Sequence, residues 1–255
     1  MSHPPRLIRA SVLAARGDAV AFDGRVVIVT GATGFLGSAV CKAFAEGGDT
    51  VIGVYLLDKE LPFFEKALGA DAKRVVLEKA DVTREGEMER VAAKVARQFR
   101  RIDVLVNTVG GYMAGTVEES TAADFDKAMS LNLKSVFLSC KAVIPGMRKR
   151  KGGKIVSVST RTALEGEAEA SLYSASKSGV NRLTEALAEE LADANVHVNC
   201  VMPSVLDTPA NREWMSKDQI AKAVKTSEVA RVIRWLCSEE ADPISGAAIP
   251  VYGRS

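Results

Sequence analysis

Residues that bind metals or staple small folds are scarce in this chain. Its 255 residues include two histidines, His3 and His197, and four widely separated cysteines, Cys41, Cys140, Cys200 and Cys237, with no CxxC unit. A metal site needs clustered ligands and a disulfide framework needs closely recurring cysteines, so neither is expected. The thiols read instead as small buried apolar residues in a reducing compartment, which makes the expected location cytoplasmic. Long apolar runs are also missing. Nothing approaches the roughly 20 residues that a membrane-spanning helix requires, so no membrane partner is expected. The net charge of +2 leaves no electrostatic footprint for nucleic acid. The one dense basic run, Arg148-Lys149-Arg150-Lys151, runs into Gly152-Gly153 and reads as a solvated loop.

Repeats, low-complexity tracts and Pro/Gly-rich linkers are lacking as well, so no boundary is marked inside the chain. Hydrophobic residues make up 47% of the sequence, enough for the core of one large domain, expected over residues 24–255. Residues 1–23 form an N-terminal extension. There Arg6, Arg9 and Arg16 precede the first acid, Asp18, a pattern shared with transit peptides, although a frayed or docked extension is the simpler expectation.

What is present is alternation. Short β-branched runs at 26–29, 51–54, 74–77, 102–106, 154–158 and 197–201 are separated by amphipathic stretches at 37–47, 85–100, 135–147 and 172–192. Repeated strand–helix units of this kind predict a single doubly wound parallel β-sheet with helices on both faces, an α/β fold. Between the first strand and its helix lies Thr30-Gly31-Ala32-Thr33-Gly34-Phe35-Leu36-Gly37. Glycines there permit a tight turn, and the following helix N-terminus offers unpaired N–H groups to a diphosphate. Farther on, Tyr173 and Lys177 are one helical turn apart, so they share a helix face and can bring an ammonium beside a phenol. A free phenol ionises near pH 10, so a fixed cation is what would let tyrosine exchange protons near neutrality.

These segments, with Asn107-Thr108-Val109-Gly110, Asn132, Tyr173-Ser174-Ala175-Ser176-Lys177 and Pro203-Ser204, resemble the short-chain dehydrogenase/reductase family. The likeness covers residues 24–253. It departs from the commoner pattern in its TGxxGxxG glycine spacing, in NTVG for NNAG, and in Ser204 where glycine is frequent. The resemblance implies a Rossmann fold, a nicotinamide cofactor, a small carbonyl or alcohol substrate, and a homodimer or homotetramer.

Carried over position by position, the resemblance puts Gly31, Thr33, Phe35, Leu36 and Gly37 at the diphosphate and its ribose. It puts Asp81 and Val82 at the adenine ring, with a helix cap as the competing reading of Asp81. Asn107 and Gly110 fall along the cofactor, and Val205 and Thr208 at the nicotinamide amide. Tyr173 becomes the proton-transfer group, and Lys177 lowers its pKa and binds the ribose. Asn132 supports a water beside the lysine. A hydroxyl residue, usually serine, precedes the tyrosine at a fixed gap and orients the substrate oxygen; the count reaches Thr160, with Ser159 as the alternative.

Cofactor choice turns on the end of the second strand. Tyr55 stands where an acid would bind the ribose hydroxyls of NAD, and Leu56, Leu57, Thr33 and Phe35 stand where a cation would bind the 2′-phosphate of NADP. Asp58 and Lys59 follow with opposed charges. The missing cation tips the expectation toward NAD over NADP.

Substrate selection is expected in 111–115, 165–171 and 204–225, with Tyr112 as an aromatic wall and Trp214 and Met215 either a lid or loop packing. The stretch 206–212 and the ending 249–253 resemble dihydropteridine reductases. Three functions therefore stay open: a carbonyl reductase or alcohol dehydrogenase, a pteridine-type reductase, and a non-catalytic dinucleotide-binding protein.

Overall fold

The structure, a computed structural model, describes Ile8–Arg9 and residues 24–254. The strands, in chain order, are β1 (Ile8–Arg9), β2 (Val26–Thr30), β3 (Thr50–Tyr55), β4 (Val75–Lys79), β5 (Val104–Asn107), β6 (Gly153–Val158), β7 (Val196–Pro203), β8 (Leu206–Asp207), β9 (Val224–Lys225) and β10 (Ala248–Val251). Apart from β8 and β9 they form one parallel sheet in the order β1-β4-β3-β2-β5-β6-β7-β10. The transit-peptide reading falls on residues outside those described, apart from the pairing of Ile8–Arg9 with β4.

Two cores cover the two faces of the sheet. Successive strand side chains point to opposite faces. In β2, Val27 and Val29 join a core with Val40 and Phe44, while Val26 and Ile28 join one with Val91, Val143 and Val180. The first core is closed by α1 (Phe35–Glu46), α2 (Leu61–Leu68) and α9 (Thr226–Leu236). The second is closed by α3 (Glu87–Phe99), α5 (Ser135–Arg150) and α6 (Ser171–Leu191). Each fully buried Val or Ile contributes roughly 1.5–3 kcal/mol over an exposed one, which is why β-branched runs become central strands. The expected doubly wound α/β sheet is the one observed.

Strand order reverses between β2 and β5. Connections run outward from β2 through β3 and β4, then cross back to β5 and run outward the other way. The diverging loops leave a crevice at the carboxyl ends of β2 and β5, where open α/β sheets bind ligands. Before α5 the chain forms α4 (Ala122–Met129) and a π-helical turn, Ser130–Lys134. On the far side, β8 pairs with β9 and encloses α7 (Pro209–Arg212) and α8 (Lys217–Lys222), forming a flap beside the crevice.

The basic run corrects one expectation. It is the last turn of α5 and its cap at Lys151, not a loop. Cations favour a helix C-terminus, and Arg150 also donates to Ile102 O at 2.6 Å and to Asp103 at 2.7 Å. Asp103 in turn accepts from Val26 N at 2.8 Å, so the run fastens α5 to the foot of the sheet.

Candidate active site

The glycine-rich turn is held by backbone geometry. Gly31 adopts φ +67°, where a side chain would be strained. A Cβ on Gly37 would lie 2.0 Å from Gly31 O, so α1 can pack on the turn only with glycine there. Gly34 caps α1 without a side-chain hydrogen bond, and the first turn holds no acid. The N–H groups of Phe35, Leu36 and Gly37 therefore point into the crevice with the positive end of the helix dipole behind them. Phe35 stands edge-on to Phe63 at 5.0 Å.

Thr33 is almost fully buried, and its hydroxyl donates to Glu60 Oε2 at 2.5 Å. Glu60 ends the 3-10 turn that follows β3. Glu60 lies five residues beyond Tyr55 along the chain. Asp58, by contrast, pairs with Lys79 at 2.5 Å on the outer side of β4, which balances its charge. Asp81 accepts from Thr83 N and Oγ1 and stabilises its own turn. Helix α3 begins only at Glu87, so Asp81 is not its cap, and the neighbouring Val82 is buried.

Behind the second half of the crevice lie polar side chains packed out of water. Asn107, the last residue of β5, donates to Ser157 Oγ at 3.1 Å, while its buried Oδ1 has no partner. A Cβ on Gly110 would lie 2.8 Å from Lys177 Nζ and 2.9 Å from Asn132 Oδ1, so the loop runs directly over both groups. Asn132 is fully buried in the π-helical turn. Its amide pairs with Gly111 in both directions, accepting from N at 2.9 Å and donating to O at 3.2 Å. The widened turn is the kind of helical irregularity that recurs at functional sites.

Thr160 and Ser159 are distinguished by their partners. Ser159 is buried and donates to Lys177 O at 3.2 Å, which ties β6 to α6. Thr160 follows Ser159 in the loop after β6, lines the same cavity as Tyr173, and its side chain acts on the Tyr173 phenol. Burial raises the Tyr173 pKa, the Thr160 side chain opposes that rise, and the Tyr112 ring and Glu167 add to it. Lys177 is not among these influences. Its ammonium donates instead to Val158 O at 2.8 Å, and burial pulls its pKa down to about 8. A shared helix face thus brings Lys177 into the same cavity as Tyr173, with its ammonium turned to Val158 O.

These residues line a cavity of about 1180 Å³ that runs from the glycine-rich turn to the flap. Tyr112 packs edge-on against Tyr173 at 5.1 Å, as the aromatic wall requires. Half-exposed Val205 and exposed Trp214 line the flap side, whereas Met215 is buried. Thr208 Oγ1 accepts from Asn211 N at 3.2 Å, Arg212 pairs with Asp207, and Asn211 donates to Leu206 O. The residues behind the pteridine-reductase likeness therefore build the loop itself.

A family model described as short chain dehydrogenase matches residues 25–219. The chain is 33% identical to a protein named 3-oxoacyl-[acyl-carrier-protein] reductase FabG from Thermotoga maritima, over 91% of this chain and 97% of that one. It is 32% identical to a 2-(R)-hydroxypropyl-CoM dehydrogenase from Xanthobacter autotrophicus, over 90% and 97%. A solved structure titled ElxO with NADP bound superposes with a TM-score of 0.85 at 26% identity, covering 90% of this chain and 98% of that one. Fold, ordered motifs and relatives agree: the chain belongs to the short-chain dehydrogenase/reductase family, oxidoreductases that act on CH–OH and C=O groups.

Proposed function

We propose that this chain interconverts a carbonyl and an alcohol by hydride exchange with NAD, using Tyr173 as the proton donor or acceptor. The reading is carried by one observation: Tyr173 and Thr160 line one cavity that is continuous with a helix N-terminus left free of any side-chain cap. That cradle fits a dinucleotide, because its N–H groups are unpaired and its glycines leave the backbone bare. A bound nicotinamide supplies the hydride chemistry.

The chain's own residues do the rest. In reduction Thr160 donates a hydrogen bond to the substrate oxygen while Tyr173 gives that oxygen its proton; in oxidation both steps reverse. Lys177 holds the cofactor ribose and, once that ribose is in place, the proton path behind Tyr173. Asn132 fixes the Gly110–Gly111 loop over the ammonium. Gly31, Thr33, Phe35, Leu36 and Gly37 hold the diphosphate, Asp81 and Val82 the adenine, Asn107 and Gly110 the face of the dinucleotide, and Val205 with Thr208 the nicotinamide amide.

Glu60 supports NAD over NADP. Its carboxylate beside Thr33 can accept hydrogen bonds from ribose hydroxyls and repels a 2′-phosphate. The test is a screen of NADH and NADPH oxidation by the purified chain against ketones, 3-oxoacyl thioesters and quinonoid dihydropterin. Turnover of a ketone or thioester, with higher kcat/KM for NADH, is expected. Cofactor binding without any turnover would return the chain to a binding role, and a tenfold preference for NADPH would refute the part assigned to Glu60. Half-exposed Phe125 and Phe137, on α4 and α5, offer apolar surface for the homo-oligomer that completes the proposal, measurable by sedimentation.

A further inference from the structure

The substrate end of the cavity is electrically polarised. Two acids lie on the β5 side, while a third, Glu165, lines the cavity beside Arg161: the loop at 167–169 lies against 112–115, where Gly115 N donates to Glu169 O at 2.7 Å, and the charges of Glu167 and Glu169 act on Tyr112. Cations gather on the opposite side, toward β7 and β10. Arg161 follows Thr160 directly and lines the cavity, and its guanidinium lies over the Tyr252 ring at 5.7 Å. Lys222 also lines the cavity, and its carbonyl accepts from Arg254 N two residues beyond Tyr252. In the sheet, β6 separates the strand that leads to Tyr112 from those that lead to Tyr252.

Arg161 has donors to spare. Its ionic partner is Glu165 at 3.8 Å, whose side chain is 72% exposed. Such a pair is long and screened, worth little, and easily exchanged for a better anion. Stacking on Tyr252 holds the guanidinium in place without using its N–H groups, which leaves the planar fork able to take an oxoanion in bidentate fashion.

We propose that the cavity selects carbonyl and alcohol substrates bearing an oxoanion, a carboxylate or its sulfonate or phosphate equivalent, docked on Arg161 with Lys222 behind it. Glu167 then repels the anion from the Tyr112 side and fixes the direction in which the substrate lies. This inference rests on the oxidoreductase reading above and names its substrate class.

Two measurements test it. The first compares kcat/KM for acetoacetate and 4-oxopentanoate with their methyl esters and with an aminoketone of similar length. The acids should exceed their esters at least tenfold, Arg161→Gln should reduce that acid-to-ester ratio at least tenfold, and Arg161→Lys should restore part of it. A purely structural role for Arg161 would lower acid and ester alike and leave the ratio unchanged, which would overturn the proposal. So would equal use of acid and ester, or preference for the aminoketone. The second measurement needs no turnover: saturable quenching of tryptophan fluorescence by 4-oxopentanoate in Tyr173→Phe loaded with NADH, lost in Tyr173→Phe/Arg161→Gln. Quenching without turnover in the wild type would refute the reaction and keep the anion site; turnover of neutral ketones without quenching would do the reverse.

Discussion

The two halves of the crevice are built differently. On the cofactor side, β2 and β5 end in buried residues and β3 in half-buried Tyr55, and the contacts offered are backbone N–H groups and glycines with no room for a Cβ. On the substrate side the walls are side chains from loops far apart in sequence, several of them exposed, among them Tyr112, Val205 and Trp214. The first half recognises what every dinucleotide shares, so the fold constrains it. The second recognises one substrate, and its residues are free to vary because little of the core depends on them.

Substituting a glycine separates the halves most sharply. Gly37→Ala places a Cβ 2.0 Å from Gly31 O, backbone against backbone, so the helix must shift. A loss of roughly 3 kcal/mol is expected, seen as a lower Tm and failure to retain cofactor on a gel-filtration column. Gly34→Ala meets the same oxygen at an ordinary 3.4 Å and should fold normally. Equal Tm values for the two variants would show that the turn is not the rigid element described here.

The next largest effect lies at the boundary between the halves. Thr160→Val keeps the shape and loses the hydroxyl, and should lower kcat/KM by roughly 10² or more, while Thr160→Ser is tolerated. Ser159→Ala should affect stability by about 1 kcal/mol and turnover little, since its hydroxyl serves Lys177 O. Reversal of the two outcomes would move the substrate-binding hydroxyl to Ser159.

Smaller still is the effect of pH. With the Lys177 pKa lowered from 10.5 to about 8, the unfolded chain holds a proton between those values that the folded chain lacks. Stability from this group therefore rises with pH across that window, and the cost of burying the charge is carried in full below about pH 8. Chemical denaturation at pH 8 and at pH 10 should show the wild type gaining up to roughly 1.4 kcal/mol per pH unit relative to Lys177→Met. The same slope in both proteins would contradict the assigned titration.

How much of this was legible in the sequence follows the same division. Strands and glycine turn were readable because burial on both sheet faces demands β-branched runs and because only glycine fits φ +67° at Gly31. The π-helical turn around Asn132 was not, since one widened turn barely alters the apolar period. The basic run at 148–151 could not be told from a loop because charge alone does not mark a helix end. The position of Glu60 was missed for a topological reason: it reaches back 27 residues to Thr33 after the chain has left β3. The acid was there to be read, beside Asp58 and Lys59, but which of the three turns inward is decided by the 3-10 turn. Similarly, spacing placed Lys177 on the face of Tyr173, yet a four-carbon stem can carry its ammonium to Val158 O instead.

The central claim is that Tyr173, with Thr160 in the same cavity, handles the proton. Rapid mixing of Tyr173→Phe with NADH and a carbonyl substrate tests it most directly, because the ring remains and only the hydroxyl is lost. The account predicts hydride transfer slower by roughly 10² to 10⁴ with NADH affinity within about threefold of wild type. A transfer rate close to that of the wild type, with cofactor bound, would contradict it.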